Sequence, residues 1–453
     1  GLPSRPQYKA FGLMQMGARD AALAALEKCR RDGAWSGAAI DGVIKTAGLE
    51  ARDAALAARL CLGVLQNSRL CDFYIDCYCS QTAKKLEPKL RDILRLGVYQ
   101  LLFLDKIPAR AAVNESVALC RACGLSRAAG LVNAVLRRVS ENISALPDIP
   151  NVGSVEHLSI KYSHPEWMVS QLIEEQGYAF TEDFLRCCNT PPSLDIQVNT
   201  LKVSTADYIR ALARTGTEYK SLDFPAGCIE LHGGSVQTLP GYEEGLFYVQ
   251  DAAARAAVEI AAPGPGMTVL DACSAPGGKA FSAALRMENA GRILACDIHE
   301  KKLRLIRQGA ERLGIEIISA QQRDARVPDK ALNGGFDLVI ADVPCSGLGV
   351  IRKKPEIRTK SRADVEALPQ IQLAILSNLS HFVRPGGVLL YSTCTVLRAE
   401  NEGVVERFLE HNRHFAPAAF TLGPRAVESG MYTFWPNIDG TDGFFTAKLI
   451  RKA

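Results

Sequence analysis

The sequence lacks the marks of a membrane or secreted protein. Its 453 residues contain no uncharged apolar run of about 18 residues or more, so no membrane span is expected. The first residues show no basic segment followed by an apolar core and a cleavage site, so no secretory signal is expected either. The 14 cysteines follow no regular spacing, which is typical of proteins in a reducing compartment. The sequence therefore predicts a cytoplasmic protein.

Metal-ligand motifs and internal repeats are also missing. Cys120 and Cys123 form the only Cys-x-x-Cys pair, and one pair cannot complete a four-ligand zinc site. We therefore expect no bound metal. No internal repeat or low-complexity segment is present, so a repeat architecture is not expected.

The composition indicates a globular protein with several domains. Apolar residues make up 47% of the chain, and a length of 453 residues exceeds what one hydrophobic core usually supports. The net charge of +4 is unevenly distributed, because residues 1–150 hold 21 Lys and Arg against 14 Asp and Glu. This excess indicates an anionic partner for the N-terminal third. A solvated helical surface would explain the excess equally well.

The apolar pattern predicts three domains. Residues 7–140 combine strong helix formers with apolar spacings of three and four, so residues 1–145 are expected to form an all-α domain. Residues 146–245 are expected to form a small α+β module, and residues 246–453 an α/β domain with a doubly wound parallel sheet. The strands predicted for that sheet are 268–272, 292–297, 316–319, 336–341, 387–392 and 444–450.

A Gly-rich turn follows the first of these strands. Cys273 and Ala280 stand where a phosphate-binding P-loop requires Gly and Ser or Thr, and the dinucleotide motif G-x-G-x-x-G is absent. What remains is a glycine pair, Gly277 and Gly278, that would let a ligand approach the backbone at the start of a helix. A purely structural turn is the alternative interpretation.

Carboxylates and thiols follow the predicted strands. They therefore lie at the carboxyl ends of the strands, which is where ligands bind in α/β sheets. Four successive strand ends carry an aspartate, although Asp disfavours strands, and this pattern predicts a positively charged nucleoside ligand such as S-adenosylmethionine. Cys345 and Cys394 follow the fourth and fifth strands, which suggests a sulfur nucleophile beside the cofactor. Taken singly, either cysteine is more often a small core residue. The four aspartates are Asp271, Asp297, Asp324 and Asp342.

Three blocks of this domain resemble the RNA cytosine-C5 methyltransferase family. They read DACSAPGGK (271–279), ADVPCSGLGV (341–350) and YSTCTVLRAENEGVV (391–405). Nearly the whole chain is similar to the bacterial small-subunit rRNA branch of that family, whose N-terminal domain is like the antitermination factor NusB. The resemblance implies a class I methyltransferase fold in 246–453 and S-adenosylmethionine as cofactor. It also implies 16S rRNA as substrate, either naked or in an early assembly intermediate. Nothing in the sequence demands more than a monomer, so a monomeric protein is expected.

The same resemblance implies roles for individual residues. Cys394 would add to C6 of the cytosine, Cys345 would assist release of the product, and Asp342 would hydrogen-bond the cytosine edge. DNA cytosine-C5 methyltransferases use a Pro-Cys nucleophile, so exchanged roles for Cys345 and Cys394 stay open. The residues expected to bind the cofactor are Cys273, Ser274, Ala275, Pro276, Gly277, Gly278, Lys279, Asp297, Asp324 and Asp342.

RNA contacts are expected in a basic loop after the fourth strand. Arg352, Lys353, Lys354 and Arg358 could hold RNA phosphates, although a solvated loop is the alternative. A tRNA substrate and a non-catalytic RNA-binding protein are alternative functions. The residues that match family positions without an assigned role are His164, Trp167, Asn199 and Lys202.

Overall fold

The structure is a computed structural model that describes residues 16–232 and 236–453, so residues 7–15 of the predicted helical region lie outside it. Contacts divide the chain into two compact units. Unit 1 comprises the residues up to Ile173 together with Lys354–Thr359, and unit 2 comprises Glu174–Lys353 and Lys360–Ala453. Among the described helices, none is long and apolar enough to cross a membrane.

Unit 1 is helical, as the apolar spacing predicted. Its first seven helices bury one face each in a common core, for example Val132, Val135 and Leu136 on the seventh helix. The helices are α1 (Ala18–Asp32), α2 (Ser36–Ala47), α3 (Ala51–Gln66), α4 (Ser68–Tyr78), α5 (Pro88–Phe103), α6 (Ala109–Ala122), α7 (Ala129–Glu141), α8 (Val155–Lys161) and α9 (Glu166–Gln176), the last of which continues into unit 2.

Two glycines allow close helix packing in unit 1. A Cβ at Gly97 of α5 would overlap the Cδ1 atom of Leu136 on α7, and a Cβ at Gly63 of α3 would overlap the ring of Tyr99 on α5. Leu136 is buried in the core of the unit. The backbone of α5 therefore approaches its neighbours at a distance that leaves no room for a side chain at position 97.

The first part of unit 2 is a small α+β module. Its strands form an antiparallel sheet in the order β2-β3-β1-β4, and α11 packs on it through Tyr208 and Leu212. The module therefore has a core of its own, as predicted. Its elements are α10 (Tyr178–Cys187), β1 (Leu194–Val198), α11 (Thr205–Ala213), β2 (Tyr219–Ser221), β3 (Cys228–Leu231) and β4 (Phe247–Val249).

The rest of unit 2 alternates strands and helices around a second sheet, of eight strands. These elements are α12 (Ala252–Ala261), β5 (Thr268–Asp271), α13 (Gly278–Arg286), β6 (Arg292–Asp297), α14 (Glu300–Leu313), β7 (Ile318–Gln322), β8 (Phe336–Asp342), α15 (Ala363–Glu366), α16 (Leu368–Ser380), β9 (Val383–Thr393), α17 (Glu402–His411), β10 (Phe415–Pro417), β11 (Phe420–Leu422), β12 (Arg425–Val427), β13 (Met431–Phe434), α18 (Pro436–Asp439) and β14 (Phe444–Arg451). The strand order is β10-β14-β9-β8-β5-β6-β7, and β13 pairs with β14.

Both faces of this sheet are buried. Leu338 and Ile340 of β8 belong to the core on the side of α12, α13 and α14, whereas Val339 and Ala341 belong to the core on the side of α16 and α17. This arrangement explains why β8 has an almost continuous apolar sequence rather than an alternating one.

The prediction of a purely parallel sheet is wrong at one edge. Strands β5 to β9 are parallel, but β14 pairs antiparallel with β9, β10 and β13. β14 follows β13 through the short segment 435–443 instead of a helical crossover, and antiparallel neighbours need only such a short connection. The apolar pattern of a buried strand is the same in both directions, so the sequence alone did not distinguish them.

The close packing around Gly97 and the open surroundings of Gly130 predict opposite effects for alanine at these two positions. Gly97→Ala should lower the stability of unit 1 by about 1–3 kcal/mol, because the added methyl group overlaps Leu136. Gly130→Ala in α7 meets no atom within 4 Å and should raise stability by about 0.5–1 kcal/mol through helix propensity. Differential scanning calorimetry of the intact chain measures both. An unfolding temperature for Gly97→Ala equal to that of Gly130→Ala would contradict the packing argument.

Candidate active site

The two cysteines singled out in the sequence lie side by side. Strands β8 and β9 are parallel neighbours whose register pairs Asp342 with Ser392, so the two strands end at the same level. Cys345 and Cys394 follow these ends within three residues, and their sulfur atoms are 3.2 Å apart. Hydrogen bonding to the Cys394 sulfur, together with burial, raises the pKa of Cys345 well above its ordinary value. Cys345 is therefore a protonated thiol at neutral pH.

Asp342 forms a partly buried ion pair with Lys279 next to the cysteines. Lys279 Nζ donates to Asp342 Oδ2 at 2.7 Å, and Ser392 Oγ donates to Asp342 Oδ1 at 2.8 Å. Burial alone would lower the pKa of Lys279, but the Asp342 carboxylate outweighs burial and raises that pKa above its ordinary value. The site thus holds a fixed carboxylate and a fixed ammonium group. Sequence reasoning missed Ser392, whose only signal is its place two residues before Cys394.

The Gly-rich turn has the shape of a ligand-binding loop. Ser274 N donates to Cys296 O at 2.7 Å, and Gly277 N donates to Ser274 O at 2.7 Å, which ties the turn to β6 and closes it. Gly277 has a φ of 113°, a conformation that requires glycine. Pro276 follows Ala275 through a cis peptide bond, and Gly278 begins α13. The turn therefore directs its backbone towards the carboxyl ends of the strands.

A cavity of about 430 Å³ lies at these strand ends. Of the predicted cofactor residues, it is lined by Cys273, Ala275, Asp297, Asp324 and Asp342. Burial raises the pKa of the Cys273 thiol and so disfavours its thiolate form. The cavity is also lined by residues that sequence reasoning missed, four of which lie one or two residues after a predicted aspartate: Ile298, His299, Lys302, Arg323, Ala325 and Arg326.

The cavity fits a nucleoside. Asp297 is buried at the end of β6 and makes no ion pair with any described residue, so its carboxylate suits the hydroxyl groups of a ribose. Asp324 is oriented by its own loop, since Arg326 bonds both of its oxygens and lowers its pKa. Asp271 lies fully buried beneath the turn, and burial raises its pKa to about 7. Three of the four strand-end aspartates therefore line the cavity and the fourth does not.

The first two residues of the predicted RNA-binding loop are bound to acidic residues of unit 2. Lys353 Nζ lies 2.7 Å from an oxygen of Asp442 and 3.4 Å from one of Asp251. Arg352 Nη2 lies 3.5 Å from the other Asp442 oxygen, and its side chain is mostly buried. These contacts give both residues a structural role.

The last two residues of the loop differ in exposure. The Lys354 ammonium is exposed and lies 4.7 Å from the ring centre of Trp35. Arg358 is only 4% exposed and donates to Tyr162 O at 2.8 Å, beside the buried side chain of His164. Burial, followed by the charge of Arg358, lowers the pKa of His164 well below its ordinary value. Lys354 is thus the exposed member of the predicted set, and RNA contact by the set stays a prediction.

Two of the residues without an assigned role support the small module. Asn199 Nδ2 donates to both Gly245 O and Leu313 O at 2.8 Å. Lys202 Nζ donates to Arg312 O at 2.8 Å. Both side chains therefore connect the small sheet to the end of α14. Trp167 lies half-buried in α9.

Three family models match the chain in the order that the resemblance implied. The NusB family matches residues 16–141, the ferredoxin-like domain of RsmF/B-like methyltransferases matches 164–237, and the family described as 16S rRNA methyltransferase RsmB/F matches 258–450. The predicted helical, α+β and methyltransferase layout is therefore confirmed.

Curated relatives extend the match to nearly the full length. A probable ribosomal RNA small subunit methyltransferase B of Bacillus subtilis is 34% identical over 444 residues, which is 96% of this chain and 98% of the relative. The corresponding protein of Synechocystis is 35% identical over 95% of this chain and 99% of its own length. The ribosomal RNA small subunit methyltransferase B of Pasteurella multocida is 33% identical over 88% and 89%.

Solved structures share the fold. The crystal structure of PH0851 is 27% identical and superposes with a TM-score of 0.81 over 97% of this chain and 100% of that chain. A methyltransferase homolog protein from Pyrococcus horikoshii superposes with a TM-score of 0.58 over 66% of this chain, and at 24% identity it bears on the fold alone.

The geometry and the relatives agree. A cavity lined by strand-end aspartates and by residues of the Gly-rich turn lies beside two thiols that are 3.2 Å apart, and the full-length relatives are named as methyltransferases. S-adenosylmethionine is accordingly the cofactor, as predicted. The chain therefore belongs to the 16S rRNA methyltransferase RsmB/F family.

Proposed function

We propose that this protein transfers a methyl group to C5 of a specific cytosine in 16S rRNA through a covalent bond between Cys394 and C6. The observation that carries this proposal is the pair of sulfur atoms 3.2 Å apart beside the Asp342–Lys279 ion pair. When bound, S-adenosylmethionine supplies the methyl group. Asp297, Asp324 and the turn 273–278 would hold it in the cavity at the strand ends.

Covalent attack solves the problem that cytosine C5 is a poor nucleophile. Addition of the Cys394 thiolate to C6 forms a carbon–sulfur bond and moves the electrons of the C5–C6 double bond onto the ring, so that C5 becomes enamine-like. After C5 has gained the methyl group, its proton passes to a general base, the electron pair of the C5–H bond goes to the C5–C6 double bond, and the carbon–sulfur bond breaks. The electron pair of that bond returns to sulfur, and the double bond re-forms with Cys394 as a thiolate.

Asp342 is suited to orient the base. Its two oxygens are fixed by Lys279 and Ser392, so its carboxylate has one orientation in the site. We infer that Asp342 faces the N3 and N4 edge of the cytosine, where it can accept a hydrogen bond from the N4 amine. The Lys279 ammonium compensates the negative charge that develops on the ring when sulfur adds.

Cys345 is suited to the second half of the reaction. Its raised pKa keeps it protonated in the free protein, and its sulfur lies within hydrogen-bond distance of the sulfur that must leave. A thiol in that place can donate to the departing thiolate and so favour release. Cys345 as the nucleophile is the alternative assignment.

The substrate is large, and unit 1 offers a second contact surface for it. A polar cavity of about 360 Å³ lies between α6 and α7, and it is lined by two arginines, two asparagines, a serine, a valine and Glu141, which pairs with Arg137. Guanidinium groups suit phosphates, and carboxamides suit base edges. We infer that unit 1 helps to hold the RNA while a single unpaired cytosine enters unit 2. The chain would act as a monomer on naked 16S rRNA or on an early assembly intermediate.

Two cysteine substitutions test the assigned roles. Cys394→Ala should reduce methyl transfer at least about a thousandfold and form no covalent complex, because the nucleophile is gone. Cys345→Ala should accumulate a covalent protein–RNA complex, because attack continues while release fails. Denaturing gel electrophoresis with a labelled 16S rRNA fragment and S-adenosylmethionine detects the complex. Cys77→Ala, at an exposed position of unit 1, is the control and should behave as wild type.

The opposite pattern would reverse the assignment. A complex trapped by Cys394→Ala but not by Cys345→Ala would identify Cys345 as the nucleophile. Full activity of both variants would remove the covalent mechanism. Failure of the wild-type protein to bind S-adenosylmethionine in calorimetry would favour the non-catalytic RNA-binding alternative.

The nature of the substrate is testable in cells. Deletion of the gene should remove one 5-methylcytosine from 16S rRNA and leave the tRNA positions unchanged, as read by bisulfite sequencing of total RNA. Complementation with the wild-type chain should restore the mark, and complementation with Cys394→Ala should not. Loss of a tRNA mark with intact 16S rRNA would establish the tRNA alternative instead.

The cavity of unit 1 predicts a salt-dependent RNA contact. The double change Arg110→Ala with Arg137→Ala should weaken binding of a 16S rRNA fragment. It should also reduce the slope of log Kd against the logarithm of the salt concentration by about one to two. Filter binding at several salt concentrations measures both. Arg384→Ala removes an exposed arginine at the start of β9, at the opposite end of that strand from Cys394, and should leave the slope unchanged. Equal slopes for all three proteins would exclude the contact.

A further inference from the structure

Two buried polar residues precede α17 without lining the cofactor cavity. Glu400 is 1% exposed and Asn401 is 0% exposed. A buried carboxylate and a buried carboxamide are costly unless their polar atoms are bonded. The partners of these two side chains therefore indicate what the pair contributes.

Glu400 holds the loop that carries Cys345. Its Oε2 atom accepts from Ser346 N at 2.9 Å and from Gln372 Nε2 at 2.8 Å. Gln372 Nε2 also donates to Pro344 O at 3.0 Å. One carboxylate thus reaches the residues on both sides of Cys345, directly on one side and through Gln372 on the other.

Asn401 holds the segment that carries Cys394. Thr393 Oγ1 donates to Asn401 Oδ1 at 2.6 Å, and Asn401 Nδ2 donates to Thr395 O at 3.0 Å. The carboxamide therefore spans Cys394 as the carboxylate of Glu400 spans Cys345.

The hydrogen bonds around Cys345 and those around Cys394 are also joined to each other. Tyr391 Oη donates to Glu400 O at 2.6 Å, which fixes the Glu400 backbone to β9. The hydroxyl groups of Ser346 and Thr395 lie 2.7 Å apart, one beside each cysteine. The separation of the two thiols is consequently determined by a continuous buried network that has Glu400 and Asn401 at its centre.

We propose that Glu400 and Asn401 are positioning residues that set the distance between the Cys345 and Cys394 thiols. Glu400 acts on product release through Cys345, and Asn401 acts on attack through Cys394. This assignment of steps rests on the proposed function, whereas the positioning itself rests on the hydrogen bonds alone.

The geometry allows the hydrogen bonds of Glu400 to be separated from its charge. Both donors bond the same oxygen, Oε2, and Oε1 has no hydrogen-bond partner among the described residues. Glu400→Gln can therefore keep an oxygen at the accepting position and place its amide where Oε1 lies. Glu400→Ala removes both hydrogen bonds. A positioning role predicts that Gln rescues what Ala loses.

The first test measures the thiol distance without RNA. Diamide oxidises two neighbouring thiols to a disulfide, its N=N bond taking up both hydrogens while the S–S bond forms, and mass spectrometry of peptides detects the Cys345–Cys394 link. Glu400→Ala and Asn401→Ala should form the link at least about fivefold more slowly than wild type. Glu400→Gln should match wild type. Glu402→Ala is the matched control, because Glu402 bonds Thr433 on another strand and should also match wild type.

The second test separates the two steps. With 16S rRNA fragment and S-adenosylmethionine, Glu400→Ala should accumulate the covalent complex as Cys345→Ala does. Its kcat and KM should fall together, by about tenfold, because only the step after methyl transfer is slowed. Asn401→Ala should instead slow formation of the complex. Glu400→Gln and Glu402→Ala should turn over as wild type.

The outcomes separate this inference from the proposed function. Wild-type cross-linking by Glu400→Ala and Asn401→Ala would overturn the positioning role, as would a Glu400→Gln variant as slow as Glu400→Ala. If Cys345→Ala traps no complex while Glu400→Ala still cross-links slowly, the proposed function fails and the positioning role stands. If Glu400→Ala does not fold, Gln372→Met replaces it, since it removes the donor to Pro344 O and Glu400, and it should cross-link slowly.

Discussion

The parallel pairing of β8 with β9 is the constraint on which the active site depends. Because Asp342 is level with Ser392, the turns that leave these two strands begin side by side and bring two thiols within 3.2 Å. A register shift of one residue would turn every side chain of one strand to the other face. The two apolar cores that cover the sheet prevent such a shift, so core packing keeps the two cysteine-bearing turns side by side.

The same strand ends contain several buried or partly buried charges, which are costly unless they are paired or hydrogen-bonded. The Asp342–Lys279 pair is partly buried, and a pair that has lost much of its water contributes little to stability compared with apolar residues of the same size. Its value is chemical, because a paired carboxylate keeps one orientation when a base arrives. Asp297 differs, since it is buried and makes no ion pair with a described residue. That difference suits an aspartate that binds ligand hydroxyl groups.

The sequence predicted those site residues that stand at strand ends or in a recognisable motif. Cys345, Cys394, Asp342 and the Gly-rich turn all come directly after apolar runs, and parallel topology then places them together. The antiparallel direction of β14 was not predictable, because burial patterns carry no direction. The internal role of Arg358 was missed, since a basic loop has the same sequence whether it binds phosphates or protein carbonyls. The bonds that fix Cys345 were missed because Gln372 and Glu400 lie 27 and 55 residues away from it along the chain.

The short distance between the two thiols also determines at which step of the proposed reaction each cysteine acts. The pKa of Cys345 is raised first by its hydrogen bond to the Cys394 sulfur and then by burial. Two thiolates at this distance repel each other, so in the free protein one negative charge at most is held by the pair. Once the Cys394 sulfur is bonded to carbon, it can no longer carry that charge, and the largest cause of the raised pKa is removed. Cys345 then becomes more acidic in the covalent complex than before attack. In the proposed reaction its acid–base function is therefore available in the step that needs it.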